Sequence, residues 1–397
     1  MEIICAYIRN NAPARDAKDF PGGDLEPLAK NADSDARKAH LELIEARKSE
    51  LYRWLDTLAA PREDIMLALT ILERRSDRQR RIEAAHGREG LDEADWPFAK
   101  PAPELPEPPD GQPHPEGAIR AYLTRLQTWQ QELADYSGYR PDLRGTCLQR
   151  ASLAGFRMAG VRLDKARLEG ANLLQARLKG TSLLDANMRG ARLDAAELQG
   201  AELRRAQGQG ADFSRARLQG ANLMMTNLQA AEFSRAHMQG ANLWEARIQG
   251  ASFWAVQLQG ANLPEAQLQF AVLGQAQIQE AFLQGARLQG TDLRSARLRD
   301  AILTEAQLDR FTNLADADLA GCALSSVNLS TVRISQDQIN ESFGDASVIL
   351  PAHLSPAPSH WPTWNLEFDM FDNRFDHEYH RWRSNPANYS PPPRPTP

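Results

Sequence analysis

From Leu143 to Leu308 every fifth residue is apolar, and of these 34 positions only Gly208 breaks the pattern. Two residues before, a small side chain is the rule: 26 of the 34 are Ala, six of the other eight are Thr or Val, and the remaining two are Pro141 and Phe156. A period of five matches neither the 3.6 of an α-helix nor the alternation of a long strand. It does match a chain that turns a corner every five residues. Each short side then points its central residue, and the residue two before it, inward. Four sides close a coil of 20 residues, and coils stack by backbone hydrogen bonds at about 4.8 Å. Ala fits where four corners converge on a narrow interior. The Leu layers fill the rest, each buried side chain contributing about 1.5–3 kcal/mol. The fold class that follows is mainly β, a quadrilateral β-helix.

Residues 20 apart should therefore lie above one another. Phe213, Phe233 and Phe253 form an interior aromatic stack. Gln199, Gln219, Gln239, Gln259 and Gln279 form one outward ladder, and Gln209, Gln229, Gln249, Gln269 and Gln289 a second on the opposite side. Gly208 should leave a small void or a collapsed coil between Met188 and Leu228. After Leu308 the period resumes one residue late, at Leu314, Leu319, Leu324, Leu329 and Ile334, which predicts a bulged corner around Phe311–Asn313. The repeat spans 142–339 and makes just under ten coils, a rod about 48 Å long.

AlaAsnLeu at 171–173, 221–223, 241–243 and 261–263, with AlaAspPhe at 211–213, resembles the A(D/N)LXX motif of the pentapeptide-repeat family. The resemblance covers about half of the chain and implies that family's right-handed quadrilateral β-helix. MEIICAYIRNNAP and PREDIMLALTILERR resemble segments of longer bacterial pentapeptide-repeat proteins of unknown function, in which related segments follow an N-terminal part that often spans a membrane. That likeness implies that Met1 starts where such a relative is already under way, and that peripheral membrane association is possible.

The flanks read differently. Residues 1–96 are expected to be α-helical, with an amphipathic helix over 33–59 (Ala36, Leu43, Ile44, Leu51, Leu55 and Leu58 on one face) and a second starting near Pro61. Eight prolines within 97–115 predict a stiff, extended linker. A helix over 116–138 is expected to cap the open first coil. Residues 340–397 form an aromatic and Pro-rich tail whose SPPPRPTP end is expected to be disordered. No apolar run is long enough for a transmembrane helix and no secretory signal is evident. Three scattered cysteines, Cys5, Cys147 and Cys322, suggest a reduced cytoplasmic setting.

No motif carries chemistry. His377 and His380, near Asp372 and Asp376, lack HExxH spacing and read as coincidence, so no metal is expected. GlyGlnGly at 208–210 suggests a phosphate loop, but Phe213 stands where a third Gly would be needed. No catalytic residue and no cofactor is expected. The net charge is −6, yet the repeat holds 22 Lys/Arg against 19 Asp/Glu. Arg157, Arg177, Arg217 and Arg297 share one column. Neither half is a basic nucleic-acid footprint, so nucleic acid is not the expected partner. The informative anomaly is a stripe of outward apolar residues: Leu184, Met224, Trp244 and Pro264 in one column, with Met225, Phe282 and Ile302 on the same side. The expected function is a non-catalytic scaffold or adaptor with a protein partner, unless the chain's own tail or helices cover the stripe. The alternative implied by the family resemblance is a DNA mimic that binds type II topoisomerases and confers quinolone resistance. The slightly positive repeat has the wrong sign for it.

Overall fold

The computed structural model describes residues 1–22, 25, 32–85, 95–108, 112, 114–115, 117–354, 356–366, 368–369 and 372–394. Parallel bridges join residues 20 apart from Asp142↔Arg162 to Arg287↔Gln307, one to each short side. In the coil 201–220 the sides are 201–203, 206–208, 211–213 and 216–218. The corners are 204–205, 209–210, 214–215 and 219–220, here called the first to fourth. The interior is as the period requires: Leu173, Leu243 and Leu293 are 1%, 0% and 2% exposed. Where Thr replaces Ala its hydroxyl is satisfied inside, Thr181 donating to the Met158 carbonyl (2.9 Å) and Thr291 to that of Leu268 (2.8 Å). Phe213, Phe233 and Phe253 stack at 4.9 and 4.8 Å with rings 2° and 7° from parallel.

The inserted residue is where the period slips. Pairing shifts to 21 residues at Asp292↔Asn313, Arg297↔Asp318 and Ile302↔Ala323, then returns to 20 at Asn313↔Arg333. Asp309 closes the bulge by accepting from the amides of Gly290, Phe311 and Thr312 (each 3.0 Å) and pairing with Arg37. Pairing continues past Ile339, with Phe343–Gly344 on Ala323–Leu324 and Ile349 on Asn328. At Gly208 the coil has closed in: Leu228 Cδ2 lies 2.9 Å from where a Cβ would stand.

Among the described residues seven α-helices accompany the rod: α1 (Glu2–Asn11), α2 (Ser34–Leu55), α3 (Glu63–Glu73), α4 (Asp77–Ala85), α5 (Ala118–Ala134), α6 (Gln336–Asn340) and α7 (Arg374–Ser384). Residues 23–24, 26–31 and 86–94 of the expected helical region lie outside the described residues. The first coil is capped by α1 and α3, not by α5 as its position in the chain suggests. Cys5, Ile8, Ile65, Leu69 and Leu72 join the cluster of Leu143 and Leu148. The edge amide of Cys147 donates to the Ala12 carbonyl, and Ala14 N–H to that of Gly145, both 2.6 Å. At the other end Gln338 Nε2 donates to the Leu314 and Ala317 carbonyls (2.8 and 2.9 Å) and Trp361 Nε1 to that of Ser342 (2.9 Å).

The long helices α2 and α5 lie lengthwise on diagonally opposite corners. On the second corner Leu55 meets Gly190, Leu51 meets Gly210 and Ile44 meets Gly250. On the fourth, Leu133 meets Gly200, Leu126 Gly220 and Gly240, and Leu123 Gly260. The match is geometric. A helix rises about 1.5 Å per residue and a coil about 4.8 Å, so helix residues three or four apart meet successive coils. Every corner needs a residue with φ near +60°, and the first and third corners supply it with residues such as Lys165, Arg205, Met225 or Arg235. Gly on the other two corners is therefore explained by the close approach of the helices rather than by backbone angle alone.

The same docking corrects the Gln ladders. They stand on opposite corners, but beneath the helices: Gln219, Gln239 and Gln259 are buried, as are Gln249 and Gln269. Their amides also pair differently. Gln239, Gln249, Gln259 and Gln289 donate to Gln257, Gln267, Gln277 and Gln307, 18 residues on rather than 20.

Candidate protein-binding surface

Three of the rod's long surfaces are occupied by its own chain. The second corner carries α2. The fourth carries Phe98 over Gly160 and Gly180, then α5, then α7, whose Tyr379 donates to the Gly321 carbonyl (2.8 Å) and whose Arg383 pairs with Asp300 (2.9 Å). Burial pushes the carboxyls of Asp300 and Glu280 up from their ordinary values, and Arg383 opposes that shift. The Arg column lies on the fourth side and meets acidic residues of the flank: Arg157 pairs with Asp77 (2.9 Å), and Arg217 with Glu104. The Pro-rich segment is thus laid against the rod where it is described, with Glu107 accepting from Gln257 (2.8 Å). Residues 109–111 and 113 of that segment lie outside the described residues. So do residues 395–397 of the SPPPRPTP end, although the Pro392 carbonyl accepts from Trp364 Nε1 at 3.1 Å.

The first corner is different. Its stacked residues run Asp164–Lys165, Leu184–Asp185, Arg204–Arg205, Met224–Met225, Trp244–Glu245, Pro264–Glu265, Gln284–Gly285 and Thr304–Glu305, each coil linked to the next by backbone bonds such as Met225 N–H to the Trp244 carbonyl (2.8 Å). Trp244 and Met225 are each 41% exposed. Leu184, Met224 and Pro264 are half-buried in the same corner. Phe282 and Ile302 stand one row over, on the first side, paired with each other through the backbone. Phe282 is 47% exposed, whereas Ile302 packs against the cluster of Phe343, Phe375, Tyr379 and Trp382. The C-terminal segment therefore shields one end of the expected stripe and leaves its centre open. On the diagonally opposite third corner the residues are mostly polar, with Trp254 half-buried over Gly274.

Among the described residues no group of three or more His, Cys, Asp or Glu could hold a metal ion. His377 and His380 are exposed on α7, whose buried face is formed by Phe375, Tyr379 and Trp382. Cys5 and Cys322 are buried, and burial pushes both thiols up, away from the thiolate a nucleophile needs. No described helix is long and apolar enough to cross a membrane.

A four-sided solenoid with a five-residue repeat and helices docked along its corners defines a structural class, the repeat scaffold. Within it, this chain is a pentapeptide-repeat protein: residues 146–185, 186–223, 226–263 and 266–304 match the family described as pentapeptide repeats, in eight copies. No curated protein matches the chain. Among solved structures it is similar to HetL, a pentapeptide repeat protein involved in heterocyst differentiation regulation from Nostoc sp. strain PCC 7120 (31% identity over 46% of this chain and 88% of that one, TM-score 0.28). It is also similar to QnrB1, a plasmid-mediated fluoroquinolone resistance protein (19% identity, 44% and 86% covered, TM-score 0.28). A third similarity is to a pentapeptide repeat protein of the Arabidopsis thaliana thylakoid lumen (22% identity, 38% and 81% covered, TM-score 0.19).

Proposed function

We propose that this chain is a non-catalytic scaffold or adaptor, acting in the cytoplasm, whose first corner binds protein. The observation that carries the reading is Trp244, exposed beside Met225 on a rod whose second and fourth corners are already covered by its own helices. Trp offers a large apolar area with a polar edge, and central Trp residues dominate many interfaces. The first corner has no Gly column, so a partner would rest on side-chain tips rather than sink a helix against the backbone. The test places a photocrosslinking side chain at position 244 or, as control, at position 235 on the third corner. An adduct of defined mass at 244 and none at 235 supports the reading. Equal labelling at both positions, or no adduct at 244, overturns it.

A further inference from the structure

The first corner is self-complementary when one copy is turned end over end. Its basic residues, Lys165, Arg204 and Arg205, lie toward the N-terminal end of the rod. Its unpaired acidic residues, Glu245, Glu265 and Glu305, lie toward the other. Met224 and Met225 sit between them, and Trp244 and Pro264 stand beside Glu245 and Glu265. The two carboxylates within the basic half are already engaged in their own chain. Asp185 accepts two bonds from Arg205 (2.7 and 2.8 Å), and Asp164 is held by the Ser182 hydroxyl. Glu245, Glu265 and Glu305 are exposed and make no ion pair among the described residues.

We propose that the occupant of this corner is a second copy of the same chain, packed antiparallel. This rests on the reading that the first corner binds protein, and names the partner. A two-fold axis across the corner, midway between the coils of Met225 and Glu245, sets Arg205 opposite Glu265 of the other copy and Lys165 opposite its Glu305. The same axis sets Met224 opposite Trp244. Each of these matches follows from one placement of the axis, because the coils repeat evenly every 20 residues. Such an isologous contact uses every pair twice. A parallel arrangement would instead place Arg205 against Arg205 and Glu265 against Glu265, so charge selects the antiparallel one.

The contact is long and narrow. From Lys165 to Glu305 it spans seven coil spacings, about 34 Å at the strand separation. With a width on the order of 12 Å it buries about 800 Å² in total, at the small end for specific association. A reversible dimer, populated at micromolar concentration and weakened by salt, is the expected behaviour.

Sedimentation velocity on the full chain, from about 1 to 100 μM, reads the outcome directly. The wild-type mass should rise from 44.2 kDa toward twice that value. Arg205→Glu and Glu265→Arg should each weaken dimerisation at least about tenfold, and the two together should restore it. Because Arg205 also holds Asp185, the pair Lys165→Glu and Glu305→Lys repeats the exchange at sites with no such bond. A wild-type chain that stays monomeric overturns the proposal. So does a double variant no better than its single changes in both pairs. If the chain is monomeric while position 244 still forms a photoadduct with a different protein, the second-copy assignment falls and the binding corner stands. Absence of both dimer and adduct removes both.

Discussion

The claim that Gly on the fourth corner makes room for α5 can be tested at Gly260. The three atoms nearest a Cβ there all belong to Leu123, with Cδ2 at 3.0 Å, Cγ at 3.1 Å and Cδ1 closer still. Its φ is +63°, so Gly260→Ala also carries the left-handed backbone cost of about 1–2 kcal/mol. Gly155 has φ +69° and nothing within 4 Å of where its Cβ would stand, so Gly155→Ala bears the backbone cost alone. The difference between them is the steric term, about 1–3 kcal/mol if α5 must shift. Hydrogen exchange in α5 is the appropriate assay, because the helix can open without unfolding the rod. Gly260→Ala should speed exchange in residues 118–134 by roughly 5- to 150-fold, the equivalent of that energy. Gly155→Ala should leave it unchanged, and Leu123→Ala in the Gly260→Ala background should remove part of the excess. Equal exchange in the two Ala variants would refute the close-approach argument.

Two further outcomes follow from buried groups. His40 of α2 is 8% exposed beside Phe270, one turn from Arg37, and burial depresses its pKa below the ordinary value of about 6.5. A buried neutral imidazole is tolerated above that value, and stability is lost as pH falls below it because the unfolded chain takes up the proton more readily. The melting temperature should therefore drop between pH 7.5 and 5.5 more in wild type than in His40→Leu. An equal drop in both would contradict the assignment. At Gly208 the neighbouring Leu228 already fills the space, so Gly208→Leu should overpack the coil and cost about 1–3 kcal/mol in thermal melts. A neutral or stabilising result would show that a void exists there.

Much of the rod is legible in the sequence because each interior position answers to one rule. The five-residue period names Leu173, Leu243 and Leu293 as core, the spacing of 20 names the Phe213 stack, and the late return of Leu314 locates the bulge. The flanks are less legible, since amphipathic helices report an apolar face but not what it covers. The signal that would have placed them is the alternation of corners: Gly recurs every ten residues from Gly160 to Gly220 while Lys165, Gln175 and Arg205 hold the same backbone angle between them. That alternation marks the corners where helices approach. The sign of the Arg column says nothing of its neighbours, whereas in the fold Arg157 meets Asp77 and Arg217 meets Glu104 of the same chain. The apolar stripe is visible in sequence, but only the packing of α7 separates covered Ile302 from exposed Trp244.

The most direct test of the binding corner is hydroxyl-radical footprinting of the full chain, dilute and then assembled with its partner or with itself. Met225 and Trp244 should be oxidised in the dilute chain and protected on association, while Trp254 on the third corner changes little. Protection of Trp244 in the dilute chain would show that its own segments cover it. Unchanged labelling in the assembled state would show that binding occurs elsewhere.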